Sequence, residues 1–198
     1  MVRAHHVILT YYGFWLPNDP RGSWSDFVGK FELYRYGPAT RVHDVRSRAS
    51  DPHDYRSRID AKTALKYPPV RLDGLQARDV ALGFAERPEE DGFRIMALTV
   101  LLKHTHVLIA RTGRKIELSV NRLKSAATAR LERHGRHPFQ EHRNPDSSLP
   151  KLFARGCWKV FLNTDEAIIR AEDYTDENPR KEGLPRQTWS FVRPLRGR

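Results

Sequence analysis

Leu101-Leu102-Lys103-His104-Thr105-His106-Val107-Leu108-Ile109-Ala110 is the stretch on which the reading of this chain turns. It closes an apolar run that starts at Phe93 and passes through Arg94-Ile95-Met96-Ala97-Leu98-Thr99-Val100. So many β-branched and aliphatic residues in succession do not suit a surface loop. They predict two consecutive central strands, broken near Leu102-Lys103. Side chains on a strand alternate faces, so His104, His106, Leu108 and Ala110 share one face of the second strand. Two imidazoles roughly 7 Å apart on one rigid face can converge on a single cation.

Working outward, Ile116, Val120, Leu123, Ala127 and Leu131 form one apolar helical stripe after Gly113, ended by Gly135. The other face carries Arg122, Lys124 and Arg133, either solvated or available to phosphate. Upstream, Gly74 to Glu86 predicts a short helix through Leu75, Val80, Leu82 and Phe84, stopped by Arg87-Pro88. Val7 to Tyr12 reads as a first strand ended by Gly13. His5 and His6 precede it, and could supply a third metal ligand or simply stand exposed.

Between Phe14 and Pro69 the character changes. Turn chemistry recurs at Leu16-Pro17-Asn18-Asp19-Pro20 and Tyr36-Gly37-Pro38, and Arg41 to Arg58 interleaves Arg, His, Asp and Ser. With few large apolar residues, Arg41 to Arg58 cannot build a core of its own, which predicts a loop-rich insertion or an arm. Its Trp15, Trp24, Tyr34, Tyr36 and Tyr55 could stack single-stranded bases, or anchor a solvated excursion. Downstream, Lys151 to Leu162 predicts a last strand around a Gly156 turn. Asn163-Thr164-Asp165-Glu166 then caps a helix that should end near Asn178, because Pro179 disfavours helical geometry in its predecessor. The organisation expected is one domain over 1–185 with an insertion at about 13–70, and a basic, aperiodic tail over 186–198.

The net charge of +11 is carried by Arg more than by Lys, which suits bidentate phosphate contacts and predicts a polyanionic partner. A lone cysteine, Cys157, fits a reducing compartment. With no signal-like segment and no run of membrane-spanning length, a cytoplasmic, nucleoid-associated protein is expected, as monomer or homodimer and without a membrane partner.

On the last predicted helix, Ala167, Ala171, Tyr174 and Asn178 fall on one stripe. Two small residues followed by a phenol and a carboxamide make an odd core. If that stripe packs on the face of His104 and His106, a hydroxyl and an amide oxygen arrive beside two imidazoles. Two histidines and a carboxamide leave half an octahedron open to phosphate oxygens and water. A phenol, titrating at about pKa 10, needs activation to act as a nucleophile.

These residues carry a resemblance. His104-Thr105-His106 resembles the His-x-His motif of HUH single-strand DNA nucleases. Tyr174-Thr175-Asp176-Glu177-Asn178-Pro179-Arg180-Lys181-Glu182-Gly183-Leu184 resembles the Tyr-x-x-x-Asn-Pro-x-x-x-Gly-Leu signature of REP-associated tyrosine transposases. The resemblance covers about Phe93 to Leu184 and the first strand. It departs from the motif at Thr105, where a hydrophobe is usual. It implies an α+β, ferredoxin-like antiparallel sheet with helices on one face. It also implies that Tyr174 attacks single-stranded or hairpin DNA to form a 5′-phosphotyrosine, with His104, His106 and Asn178 holding Mg²⁺ or Mn²⁺. Arg122, Lys124, Arg180 and Lys181 are candidate DNA contacts. Two alternatives stay open: a non-cleaving hairpin-DNA binder, and a zinc-dependent hydrolase with His5 or His6 as third ligand.

Overall fold

The computed structural model describes residues 1–43, 48–86, 92 and 94–195. The expected beginning of the apolar run at Phe93, the Arg87-Pro88 stop, part of the Arg41–Arg58 segment and the last three tail residues lie outside the described residues. The chain divides into two compact units, Met1–Tyr11 with Arg71–Arg198, and Tyr12–Val70.

In the first unit, β1 (Ala4–Thr10), β2 (Ile95–Val100), β3 (His104–Ala110) and β4 (Trp158–Leu162) form a sheet in the order β2-β3-β1-β4, every neighbouring pair antiparallel. This is the ferredoxin-like strand order. The break between β2 and β3 falls where Leu102-Lys103 predicts it, and a register shift between Ile95 and Ala97 adds a bulge to β2. All six residues of β2 are buried, so both faces of the sheet need cover.

One face is covered by α2 (Gly74–Ala85) and α3 (Ile116–Arg133), which pack on each other, with α2 also on β2. The expected stripe Ile116, Val120, Leu123, Ala127 and Leu131 is buried throughout. Both helix ends are chemically specified. Asp73 and Gln76 form a capping box at the start of α2. At the end of α3, Arg136 N–H donates to the Leu131 carbonyl and Gly135 N–H to that of Glu132, around Gly135 at φ 62°. Buried Asp79 ties the pair together by accepting from Arg130, His134 and Arg136.

Gly83 is where α2 and α3 touch most closely. A Cβ there would lie 2.6 Å from the Cα of Ala127 and 2.9 Å from its nitrogen, both backbone atoms that cannot swing aside. Gly83→Ala is expected to cost about 1–3 kcal/mol through overpacking, against the gain in helix propensity. A thermal melt checks this, and an unchanged or raised Tm would contradict it.

The opposite face takes α4 (Asp165–Lys181). Its Ile168 and Ala171 pack with Ala4, Met96, Ala97, Leu108 and Leu162, and Ala167 joins at the edge. Thr164 caps it, accepting from Ala167 N–H. Helix cover therefore extends to the histidine face as well as to the face of α2 and α3.

One expectation is corrected in this unit. The helix does not end at Asn178 but runs through Pro179 to Lys181. Proline lacks the N–H that would bond the Thr175 carbonyl, and that carbonyl is instead taken by the Thr99 hydroxyl of β2 at 2.7 Å. Within 186–195 the tail is bonded to β2: the Gln187 side chain brackets the backbone N–H and C=O of Val100. Arg193 N–H donates to the Ile95 carbonyl, and Leu195 N–H to the carboxylate of Glu172. The tail thereby occupies hydrogen-bonding groups of β2, an edge strand that would otherwise offer them to another chain.

The second unit, Tyr12–Val70, has a small core, formed by residues outside the Arg41–Arg58 segment. It contains a 3₁₀ turn at Phe31–Tyr36 and a helix, α1 (Tyr55–Thr63), and it buries Leu16, Val28, Leu33 and Ala61 together. Buried Asp19 receives both Nε and Nη2 of Arg21, whose guanidinium lies 3.9 Å above the Trp15 ring. The polar composition conceals a small core because its charges are paired internally.

Candidate active site

β1 and β3 pair so that Ile8 faces His106 and Thr10 faces His104. His6, two residues before Ile8, therefore lies on the same face as both. Its Nε2 is 3.0 Å from Nδ1 of His106, and both side chains are buried. The His104 and His106 rings are 4.9 Å apart. His5 lies on the other face, edge-on to Phe161 and beside a surface depression of about 480 Å³ lined by Arg111, Arg114 and Lys115.

α4 brings its polar stripe to this patch. The Tyr174 ring centroid is 5.6 Å from that of His106 and 5.9 Å from that of His6, while the side chain keeps 44% of its exposure. Lys181 places its ammonium 4.2 Å from the centre of the Tyr174 ring. One turn beyond Tyr174, Asn178 is buried, and its Nδ2 has no hydrogen-bond partner among the described residues. One turn further, Glu182 has an oxygen 4.0 Å from Nδ1 of His104.

The docking of α4 is specific. Thr99, whose hydroxyl holds the carbonyl freed by Pro179, is the cross-strand partner of His106. The helix closes with Leu184 N–H donating to the Pro179 carbonyl and Gly183 N–H to that of Arg180, with Gly183 at φ 71°. The Pro-x-x-x-Gly-Leu pattern is thus a helix end together with a docking point beside the histidines.

Burial sets the electrostatics. It lowers His6 to about 4, and burial with the nearby Lys103 charge lowers His104 to about 4. His106 falls well below its usual value through burial, then the neighbouring His104, His6 and Lys181. All three imidazoles are neutral at pH 7 and offer lone pairs. Burial raises Glu182, offset in part by Lys103 and Arg71.

The sign of the resulting pH dependence follows. The unfolded chain protonates His6 and His104 near 6.5, whereas the folded chain resists until about 4. Their contribution to stability is complete above 6.5 and is lost as pH falls toward 4, at ~1.4 kcal/mol per pH unit for each ring. Melts at pH 7 and pH 5 should show a clearly lower Tm at pH 5; equal values would contradict buried neutral histidines.

Among the described residues, no three His, Cys, Asp or Glu side chains converge on a cation-sized point. His6 explains part of this, since its Nε2 is engaged by His106 and not turned to a common centre. The donor set His104, His106 and Asn178 nevertheless suits a divalent cation: two neutral imidazoles and a buried carboxamide whose nitrogen lacks an acceptor. Turned about its last bond, that amide would present its oxygen. A zinc site with His5 as third ligand is not formed, because His5 faces the other side of the sheet.

The candidate DNA contacts separate. Arg122 is exposed, and Arg180 is exposed beside Glu177. Lys181 belongs to the Tyr174 patch. Lys124 donates to the Ala154 and Gly156 carbonyls, so its charge anchors the approach to β4 and is not free on an open helix face. Thr105, the departure within the motif, points to the buried side, where its hydroxyl meets that of Tyr11 at 2.5 Å. Sequence reasoning missed Glu182 as a site residue. It continues the stripe of Tyr174 and Asn178 at the same spacing, which is visible once the helix is carried through Pro179.

No family model matches the chain, and no curated protein matches it. Among the solved structures similar to it in the course of the chain are two transposases. One is a REP-associated tyrosine transposase bound to a REP hairpin, at 12% identity and a TM-score of 0.48, covering 96% of this chain and 74% of that one. The other is a candidate transposase from Deinococcus radiodurans R1, at 14% identity and a TM-score of 0.42, covering 88% of each chain. Neither likeness, at such identity and score, assigns chemistry to this chain.

Proposed function

We propose that this chain is a single-stranded-DNA transesterase of the tyrosine transposase kind, with Tyr174 as nucleophile. The observation that carries the reading is the half-exposed Tyr174 ring set against His106 and His6, beneath the Lys181 ammonium. A phenol in an apolar core would be sealed; this one is held by its ring while remaining accessible.

In the step proposed, the Tyr174 oxygen attacks a phosphodiester phosphorus and gives up its proton to solvent. The bond from phosphorus to the 3′ oxygen breaks, and that oxygen takes a proton to become a 3′-OH. The product is a 5′-phosphotyrosine, which retains the ester and can be reversed by another 3′-OH without ATP. Lys181 offers positive charge over the face of the Tyr174 ring, and the His6 and His106 rings fix the direction of the phenol ring. His104, His106 and Asn178 would hold Mg²⁺ or Mn²⁺, which supplies Lewis-acid polarisation of the phosphate when bound.

The DNA partner is supported by the net charge of +11. In the second unit, the exposed rings of Trp24, Phe31, Tyr34 and Tyr55 suit base stacking. Incubation with single-stranded and hairpin-bearing DNA in Mn²⁺, followed by denaturing electrophoresis, tests the reading. A protein–DNA band resistant to denaturant supports it; binding without such a band supports a non-cleaving hairpin binder.

A further inference from the structure

His6 has no task in the proposed chemistry beyond packing against the Tyr174 ring, and its position is too specific for packing alone. It stands on a central strand and is buried. Its one short polar contact described is the 3.0 Å pairing of its Nε2 with Nδ1 of His106. Its ring also lies edge-on to Tyr174 at 5.9 Å.

Two neutral imidazoles this close share one proton between the facing nitrogens, and there are two ways to do it. If His6 Nε2–H donates, His106 accepts at Nδ1 and must carry its own proton on Nε2. Both His106 nitrogens are then occupied, and the ring has no lone pair for a cation. If His106 Nδ1–H donates, His106 Nε2 keeps its lone pair. A ligating histidine is commonly set in this way through its other nitrogen, usually by a carboxylate or a carbonyl. Here the acceptor would be a second histidine, itself neutral and buried.

We propose that His6 is a positioning residue that accepts a hydrogen bond from His106 Nδ1–H and so holds His106 in the tautomer whose Nε2 can bind a divalent cation. This rests on the metal-assisted reading of the site and names the residue that prepares it. His6 itself is then the Nδ1–H tautomer and is not a ligand, which agrees with the lack of a three-histidine convergence among the described residues.

The test needs neither DNA nor activity. In metal-free protein labelled with ¹⁵N-histidine, above pH 7, long-range ¹H–¹⁵N spectra report which nitrogen of His106 carries the proton. Wild type should show His106 as Nδ1–H. His6→Phe keeps a ring of similar size but removes the acceptor, so His106 should move toward the Nε2–H form favoured by a free neutral imidazole. His6→Gln returns an oxygen acceptor at similar reach and should restore Nδ1–H. Calorimetric titration with Mn²⁺ should show roughly 10–100-fold weaker binding in His6→Phe and recovery in His6→Gln.

A wild-type His106 protonated on Nε2 overturns the proposal, and so does a His6→Phe protein with unchanged tautomer and affinity. The wild-type spectrum decides even if His6→Phe does not fold. Wild type that shows the Nδ1–H tautomer and binds Mn²⁺, yet never cleaves DNA, would end the transesterase reading while upholding the role of His6.

Discussion

Tyr174→Phe is expected to lose all covalent attachment to DNA, a fall of at least about 10⁴-fold in cleavage, with binding affinity nearly unchanged. Removing a nucleophile costs on this scale because nothing else in the site can form the ester. The ring that Phe retains still meets His6 and His106 and still underlies Lys181. A hydroxyl with 44% of its residue exposed contributes little to folding, so the melt should barely move. Cleavage assays beside a melting curve check both halves. Residual adduct formation in the variant would assign the nucleophile elsewhere.

His104→Ala and His106→Ala are expected to lower cleavage by about 10³-fold or more. A bound cation supplies several kcal/mol of charge stabilisation, at 1.4 kcal/mol per tenfold. Each variant should also lose the rise in Tm that Mn²⁺ gives wild type, because both rings serve the same ion. The two should differ in metal-free stability. His106 is almost fully buried between His6 and Tyr174, so truncating it opens a cavity and removes the partner of His6. His104 keeps 15% side-chain exposure and should be the milder change. Wild-type cleavage undiminished in excess chelator would contradict a metal role.

Much of this arrangement was legible in the residues. Strand alternation put His104 and His106 on one face, and the helical stripe from Ala167 to Asn178 put Tyr174 opposite them. Both periodicities are direct consequences of backbone geometry. Three things were not legible, each for a physical reason. Pro179 looked like a helix stop because the hydroxyl that satisfies the Thr175 carbonyl comes from Thr99, 76 residues away. That long-range bond carried the helix onward and with it Glu182. His6 looked like a strand-edge histidine, because its partner is 100 residues distant and only the β1–β3 register joins them. The small core of the Tyr12–Val70 unit was hidden in a turn-rich, polar stretch whose charges, Asp19 and Arg21 above all, are paired inside. Local pattern reads what local geometry dictates; cross-chain satisfaction of polar groups is invisible to it.

The central claim is that Tyr174 becomes covalently joined to DNA, and peptide mapping tests it most directly. After reaction with single-stranded DNA in Mn²⁺, the DNA is digested to its terminal nucleotide and the protein cut with trypsin. The peptide spanning 171–180 contains Tyr174 as its one tyrosine. It is expected to gain the mass of a nucleoside 5′-monophosphate less water, located on Tyr174 by fragmentation, and to be unmodified in Tyr174→Phe. That peptide unmodified while cleavage proceeds, or the added mass on another residue, would contradict the account.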